Sequence, residues 1–139
     1  MSLNNVLITG SSNGLGNYLA LYFSKHGHNI LLHGRDERKL KSTQEQIRKN
    51  GVKANYITAD LKKNNDIDSL CKIAYEQNIK ILINNAGIIC PDLPFKEITN
   101  NIIENMIAVN LIAPIKIIKA LSDNLDHVIN INSMVGLEA

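Results

Sequence analysis

Three glycines stand at G-x-x-x-G-x-G spacing in Thr9-Gly10-Ser11-Ser12-Asn13-Gly14-Leu15-Gly16, directly after a short apolar run. Chemistry that needs such a turn is anion binding. The chain must reverse sharply, let a pyrophosphate approach its backbone, and pack the next helix tightly, and glycine serves all three because it lacks a Cβ. Free N–H groups and the positive dipole end of the helix then face the anion. A plain strand-to-helix loop is the alternative reading, and the flanking strand and helix favour the anion site. Arg35 follows the second strand, where the guanidinium can grip a phosphate bidentately and an acidic residue would instead accept from a ribose hydroxyl. Lys is four times as frequent as Arg in this chain, so an arginine here is informative; a solvated charge at a helix start is the competing reading. Ser12 offers a hydroxyl to the same phosphate. Asn110 lies four residues before Pro114, whose ring removes one helical hydrogen bond and clashes with the Asn110 carbonyl. A kink with that carbonyl left free is expected there.

Those residues need elements to hold them, and hydrophobic periodicity supplies the elements. Strands are expected over residues 5–9, 29–33, 54–58, 80–84 and 127–132. Helices are expected over 14–26, from an N-cap at Asp36 to Asn50, over 66–77, and over 98–121. Near-continuous apolar strands alternating with helices indicate a parallel sheet covered on both faces. Right-handed crossovers then give an α/β, Rossmann-like doubly wound sheet. The Ile-rich stretch 102–121 is interrupted by Asn105, Asn110, Pro114, Lys116 and Lys119, which argues against a membrane span.

With the strands in place, the chain resembles the short-chain dehydrogenase/reductase family, single-domain subgroup. The resemblance rests on four motifs in family order: the Gly10, Gly14, Gly16 turn; Asn84-Asn85-Ala86-Gly87 after the fourth strand; Asn110 within Met106-Ile107-Ala108-Val109-Asn110-Leu111; and Ile131-Asn132-Ser133-Met134-Val135-Gly136. It implies strand order 3-2-1-4-5 and a dinucleotide cofactor, NADP ahead of NAD. It also implies cofactor binding by Gly10, Ser12, Asn13, Gly14, Leu15, Gly16, Arg35, Asp60, Leu61, Asn84, Ala86 and Gly87. Asp60 resembles the residue that hydrogen-bonds adenine. Many NADP-preferring relatives carry a basic residue where this chain has Asn13. The resemblance gives catalytic roles to Ser133, which polarises a substrate carbonyl, and to Asn110, whose carbonyl holds a water in a proton relay. Hydride transfer between nicotinamide and a small carbonyl or alcohol substrate is the implied reaction.

The family's acid/base is a tyrosine about a dozen residues after the serine, with a lysine one turn beyond. Here Tyr18, Tyr22, Tyr56 and Tyr75 all precede Ser133, and none has a lysine four residues on. The expectation is therefore a single domain over residues 1–139, incomplete at its C-terminus and truncated before the Tyr-Lys helix. The complete protein would run roughly 100 residues further and form a homodimer or homotetramer, and the 139 residues would be inactive and poorly stable alone. A non-catalytic dinucleotide- or partner-binding module remains the alternative, with a methyltransferase a distant third.

Composition sets the outer limits. With 45% hydrophobic and 20% charged residues, the chain reads as an ordinary globular domain. A net charge of +2 gives no basic footprint for nucleic acid. Two cysteines make neither a disulfide scaffold nor a metal site, so no metal is expected. A strand-like run beginning at Leu3 leaves no signal peptide, and the expected location is cytoplasmic. His26 and His28 read as solvated, His33 and His127 as packing residues, and Cys90 as a structural thiol.

Overall fold

The alternation read from the sequence becomes a five-stranded, fully parallel sheet in a computed structural model, which describes residues 4–132. The strands are β1 (Asn5–Ile8), β2 (Asn29–Gly34), β3 (Ala54–Thr58), β4 (Ile81–Asn84) and β5 (His127–Asn130). Their order is β3-β2-β1-β4-β5, as expected. Helices α1 (Gly14–Lys25), α2 (Glu37–Arg48) and α3 (Asn64–Glu76) form the first three crossovers. A longer helix then runs as α4 (Asn100–Ile107), a π segment (Ala108–Ile112) and α5 (Ala113–Leu121).

Alternate side chains of each strand point to opposite faces, so the sheet builds two cores. Leu7, Leu31 and Leu82 face one way and pack with Leu70 of α3 and Val109, Ile117 and Leu121 of the long helix. Val6, Ile8, Ile30, Leu32 and Ile83 face the other, against Ala20 of α1 and Leu40 and Ile47 of α2. Both faces are covered at the centre, as the apolar strands required. Asp36 caps α2, its carboxylate accepting from the Lys39 N–H at 3.2 Å.

Element ends depart from the periodicity in instructive ways. α3 starts at Asn64, two residues before the expected Asp66, because the Asp66 carboxylate is engaged elsewhere: it accepts from the Asp60 N–H at 2.8 Å and ties the β3–α3 connection to the helix. The long helix starts at Asn100, since Ile98 is extended and Thr99 is the cap, accepting from the Ile102 N–H. β5 ends at Asn130, although Ile131 N–H still donates to the Asn84 carbonyl at 2.9 Å. The kink expected at Pro114 takes the form of a π segment. Lacking an N–H for the Asn110 carbonyl, the helix takes in one extra residue, and Ala113 N–H reaches back to the Ala108 carbonyl.

The continuous helix Asn100–Leu121 has 22 residues and contains an 18-residue stretch with a mean hydropathy of 1.4, enough to cross a bilayer by length and composition. Val109, Ala113, Ile117 and Leu121 recur at four-residue spacing and are buried, whereas Ile103, Ile107, Leu111, Ile112 and Ile115 are exposed. Leu82 has no exposed surface, and Leu82→Ala should cost about 2–5 kcal/mol of unfolding free energy in urea denaturation. Ile89→Ala, at a side chain 91% exposed, should stay within about 0.5 kcal/mol.

Candidate functional site

A parallel doubly wound sheet has a crevice at the carboxyl ends of its strands where the winding reverses, here between β1 and β4. The residues following β1 and β4 are joined across that point. Thr9 is buried, and its hydroxyl accepts from the Asn85 and Ala86 N–H groups at 3.0 Å each and donates to the Ile83 carbonyl at 3.4 Å. Asn85 Nδ2 donates to the Thr9 and Gly10 carbonyls at 3.0 and 3.1 Å. The closeness leaves no room for side chains. A Cβ on Gly10, whose φ is +66°, would lie 2.8 Å from the Ala86 Cα. A Cβ on Gly16 would run into Asn85 Nδ2 and the Gly10 carbonyl.

The start of α1 faces this turn and is electrostatically open. Asn13 is its N-cap, but no side chain caps the helix and its first turn holds no acidic residue. N–H groups left unsatisfied at a helix start attract anions. Gly14 and Leu15 open the helix, with Leu15 exposed.

β2 supplies the next wall. Ser11 Oγ accepts from the His33 N–H at 2.9 Å and donates to the His33 carbonyl at 3.2 Å. Gly10 N–H donates to His33 Nδ1 at 3.2 Å, so that nitrogen carries no proton, and Nε2 donates to the Ala59 carbonyl at 3.1 Å. His33 is buried, and burial is the main force holding its pKa down to about 4, with nearby Arg35 adding to it; the Ala59 hydrogen bond and Asp60 act in the opposite direction. It is a neutral imidazole at neutral pH. From its place at a strand border the sequence suggests only packing. The available signal was one polar residue in the otherwise apolar run Ile30-Leu31-Leu32-His33.

Together these segments line an open cleft of about 280 Å³. Of the expected site residues, Gly10, Ser12, Arg35, Asp60, Leu61, Ala86 and Gly87 line it, joined by the unanticipated His33, Ala59, Lys62, Asn105 and Val109. Arg35 is exposed and makes no ion pair among the described residues. The Asp60 carboxylate accepts from the Lys62 N–H at 3.1 Å and lies 3.6 Å from the Lys62 ammonium. Asn13, Gly14, Leu15, Gly16, Asn84 and Asn110 are outside the lining. Asn84 is buried, its Nδ2 donating to Asn130 Oδ1 at 2.9 Å across the β4–β5 pair. Asn110 clamps the segment after Gly87: Oδ1 accepts from the Ile88 N–H at 2.9 Å and Nδ2 donates to the Ile88 carbonyl at 2.8 Å. Pro114, four residues on, has no N–H to offer the Asn110 main-chain carbonyl. Ser133 lies outside the described residues. No group of three metal-ligating side chains occurs among the described residues.

The sequence profile of the short chain dehydrogenases matches residues 4–139. The chain belongs to that family. It is 38% identical over 92 residues to human short-chain dehydrogenase/reductase 3, an alignment covering 64% of this chain and 30% of the human protein. It is 32% identical over 108 residues to an NADPH-dependent pterin aldehyde reductase of Arabidopsis thaliana, covering 76% of this chain and 44% of that enzyme. Among solved structures, a short-chain dehydrogenase from Sphingobium yanoikuyae in complex with NADPH superposes with a TM-score of 0.89 at 32% identity, over 97% of this chain and 55% of that one. The chain therefore spans about half or less of the length of these relatives. Membership makes it part of an oxidoreductase family with a Rossmann-like fold.

The buried histidine gives this short-chain dehydrogenase chain a pH signature. The unfolded chain takes up a proton near pH 6.5 while the folded one resists until about pH 4, so stability present above that window is lost as pH falls through it. Urea titrations at pH 7, 6 and 5 should show a loss of about 1 kcal/mol per pH unit below pH 6, absent in His33→Phe. A wild-type slope equal to that of the variant would contradict this.

Proposed function

We propose that the protein is an NADP(H)-dependent oxidoreductase interconverting a small carbonyl compound and its alcohol. The observation that carries this reading is Arg35. An exposed guanidinium without an ion-pair partner among the described residues stands on the rim of a cleft that also takes in Ser12 and Asp60. A guanidinium in that position suits a ribose 2′-phosphate, which a carboxylate would repel. The residues fit the rest of a dinucleotide as well. The open start of α1 and the Gly10 turn suit the pyrophosphate, Asp60 and Leu61 the adenine, and Ala86 and Gly87 the run toward the nicotinamide. When bound, the cofactor supplies the hydride. The NADPH-bound Sphingobium structure and the NADPH-dependent Arabidopsis enzyme support the choice of phosphate form.

This chain's residues have separable tasks in that reading. Asn110 holds Ile88, and so the segment that would support the nicotinamide, while its main-chain carbonyl, without a Pro114 donor, would hold a water of the proton relay. Ser133 would hydrogen-bond the substrate carbonyl. Turnover also calls for a Tyr-x-x-x-Lys pair, which none of the four tyrosines of this sequence supplies, so weak cofactor binding without turnover is the expected behaviour of these 139 residues. The whole protein would act as a homo-oligomer, for which the exposed apolar stripe of Ile103, Ile107, Leu111 and Ile115 offers a surface.

Fluorescence titration with NADPH and NADH tests the assignment. Wild type should prefer NADPH, and Arg35→Ala should weaken NADPH by about 10–100-fold while moving NADH by less than about twofold. Equal affinities in the wild type, or equal losses in the variant, would remove Arg35 from the phosphate site.

A further inference from the structure

Among the cleft residues, His33 is the one whose ring joins two of its walls. Gly10 N–H donates to Nδ1 from one side, and Nε2 donates to the Ala59 carbonyl on the other. Gly10 belongs to the turn beneath the proposed pyrophosphate, and Ala59 directly precedes Asp60 at the proposed adenine end. We infer that His33 is a positioning residue for the dinucleotide: its neutral ring, protonated on Nε2, sets the separation between the Gly10 turn and the end of β3 that the cofactor has to bridge. The inference rests on the dinucleotide reading above.

Three features favour this over simple packing. The ring is buried, so each nitrogen left without a partner would be an uncompensated polar group. The polar groups next to it in the turn are already committed: the Thr9 and Gly10 carbonyls to Asn85, and the Ser11 N–H and hydroxyl to the His33 main chain. Without Nδ1, the Gly10 N–H has no replacement acceptor among these neighbours. A side chain filling the same space would satisfy neither end, whereas an asparagine amide oxygen can stand in for Nδ1 alone. The two contacts can thus be separated by substitution.

The experiment compares wild type, His33→Phe and His33→Asn by NADPH titration. It adds 15N spectra of the wild-type imidazole and hydrogen exchange at the Gly10 amide. The expected result is a wild-type ring protonated on Nε2, faster Gly10 exchange in His33→Phe, and NADPH affinity weakened about tenfold in that variant. His33→Asn should recover affinity to within about threefold of wild type by restoring the acceptor for Gly10. Recovery by asparagine is the decisive readout, because a packing role would rank phenylalanine above the smaller residue. Protonation on Nδ1, undiminished NADPH affinity in His33→Phe, or His33→Asn binding as weakly as His33→Phe would each overturn the inference. If His33→Phe does not fold, the wild-type tautomer and His33→Asn decide it. Wild-type protein that binds neither NADPH nor NADH overturns the oxidoreductase reading instead, while the tautomer and the Gly10 exchange still decide whether the ring holds the turn.

Discussion

The Thr9 hydroxyl is the tie on which the upper edge of this sheet depends. It is buried, takes two N–H groups from the segment after β4, and returns its proton to the Ile83 carbonyl. Orphaning a buried donor costs about 1–3 kcal/mol, so the two segments that part company at the switch point are held together there instead. Everything else at the site answers to that closeness. Gly10 has to lack a Cβ because Ala86 lies against it, and Gly16 because Asn85 does. The Asn85 amide, spanning the Thr9 and Gly10 carbonyls, then fixes the turn that opens α1.

From that tie the cleft spreads in two directions. Toward β2 and β3 it runs along His33, Arg35 and Asp60, where an exposed guanidinium and a half-buried carboxylate flank a neutral, buried imidazole. Toward the long helix it runs along Gly87 and Ile88, which Asn110 grips by both backbone groups. The π segment makes that grip compatible with Pro114: one helical bond is lost and the register shifts by a residue, while Val109 and Ala113 on either side stay buried in the core. Core packing and site geometry are here set by the same few residues of one helix.

Much of this was legible in the amino-acid sequence. Alternating apolar runs and amphipathic helices gave the doubly wound parallel sheet, the family resemblance gave its strand order, and the Asp36 cap is where a short acidic residue before a charged helix should put it. The glycine spacing, the Asn84-Asn85-Ala86-Gly87 run and Asn110 led to the family. What escaped had non-local causes. Asp66 reads as a helix start until its carboxylate is seen bound to Asp60 N–H, six residues back. Pro114 foretells a disturbed helix, but only the packing of Val109 and Ala113 decides that a π segment, rather than an open kink, absorbs it. His33 looks like a packing residue because its two partners, Gly10 and Ala59, are 23 and 26 residues away in the chain.

Dinucleotide binding at the β1–β4 switch point is tested most directly by amide chemical-shift mapping of the protein as NADPH is added. Binding there predicts shifts concentrated at Gly10–Gly16, His33–Arg35, Ala59–Lys62 and Ala86–Ile88. Residues at the opposite end of the sheet, such as Asn29, Lys53 and Gln77, should remain still. Shifts centred on that opposite end, or no saturable shifts at all, would contradict it.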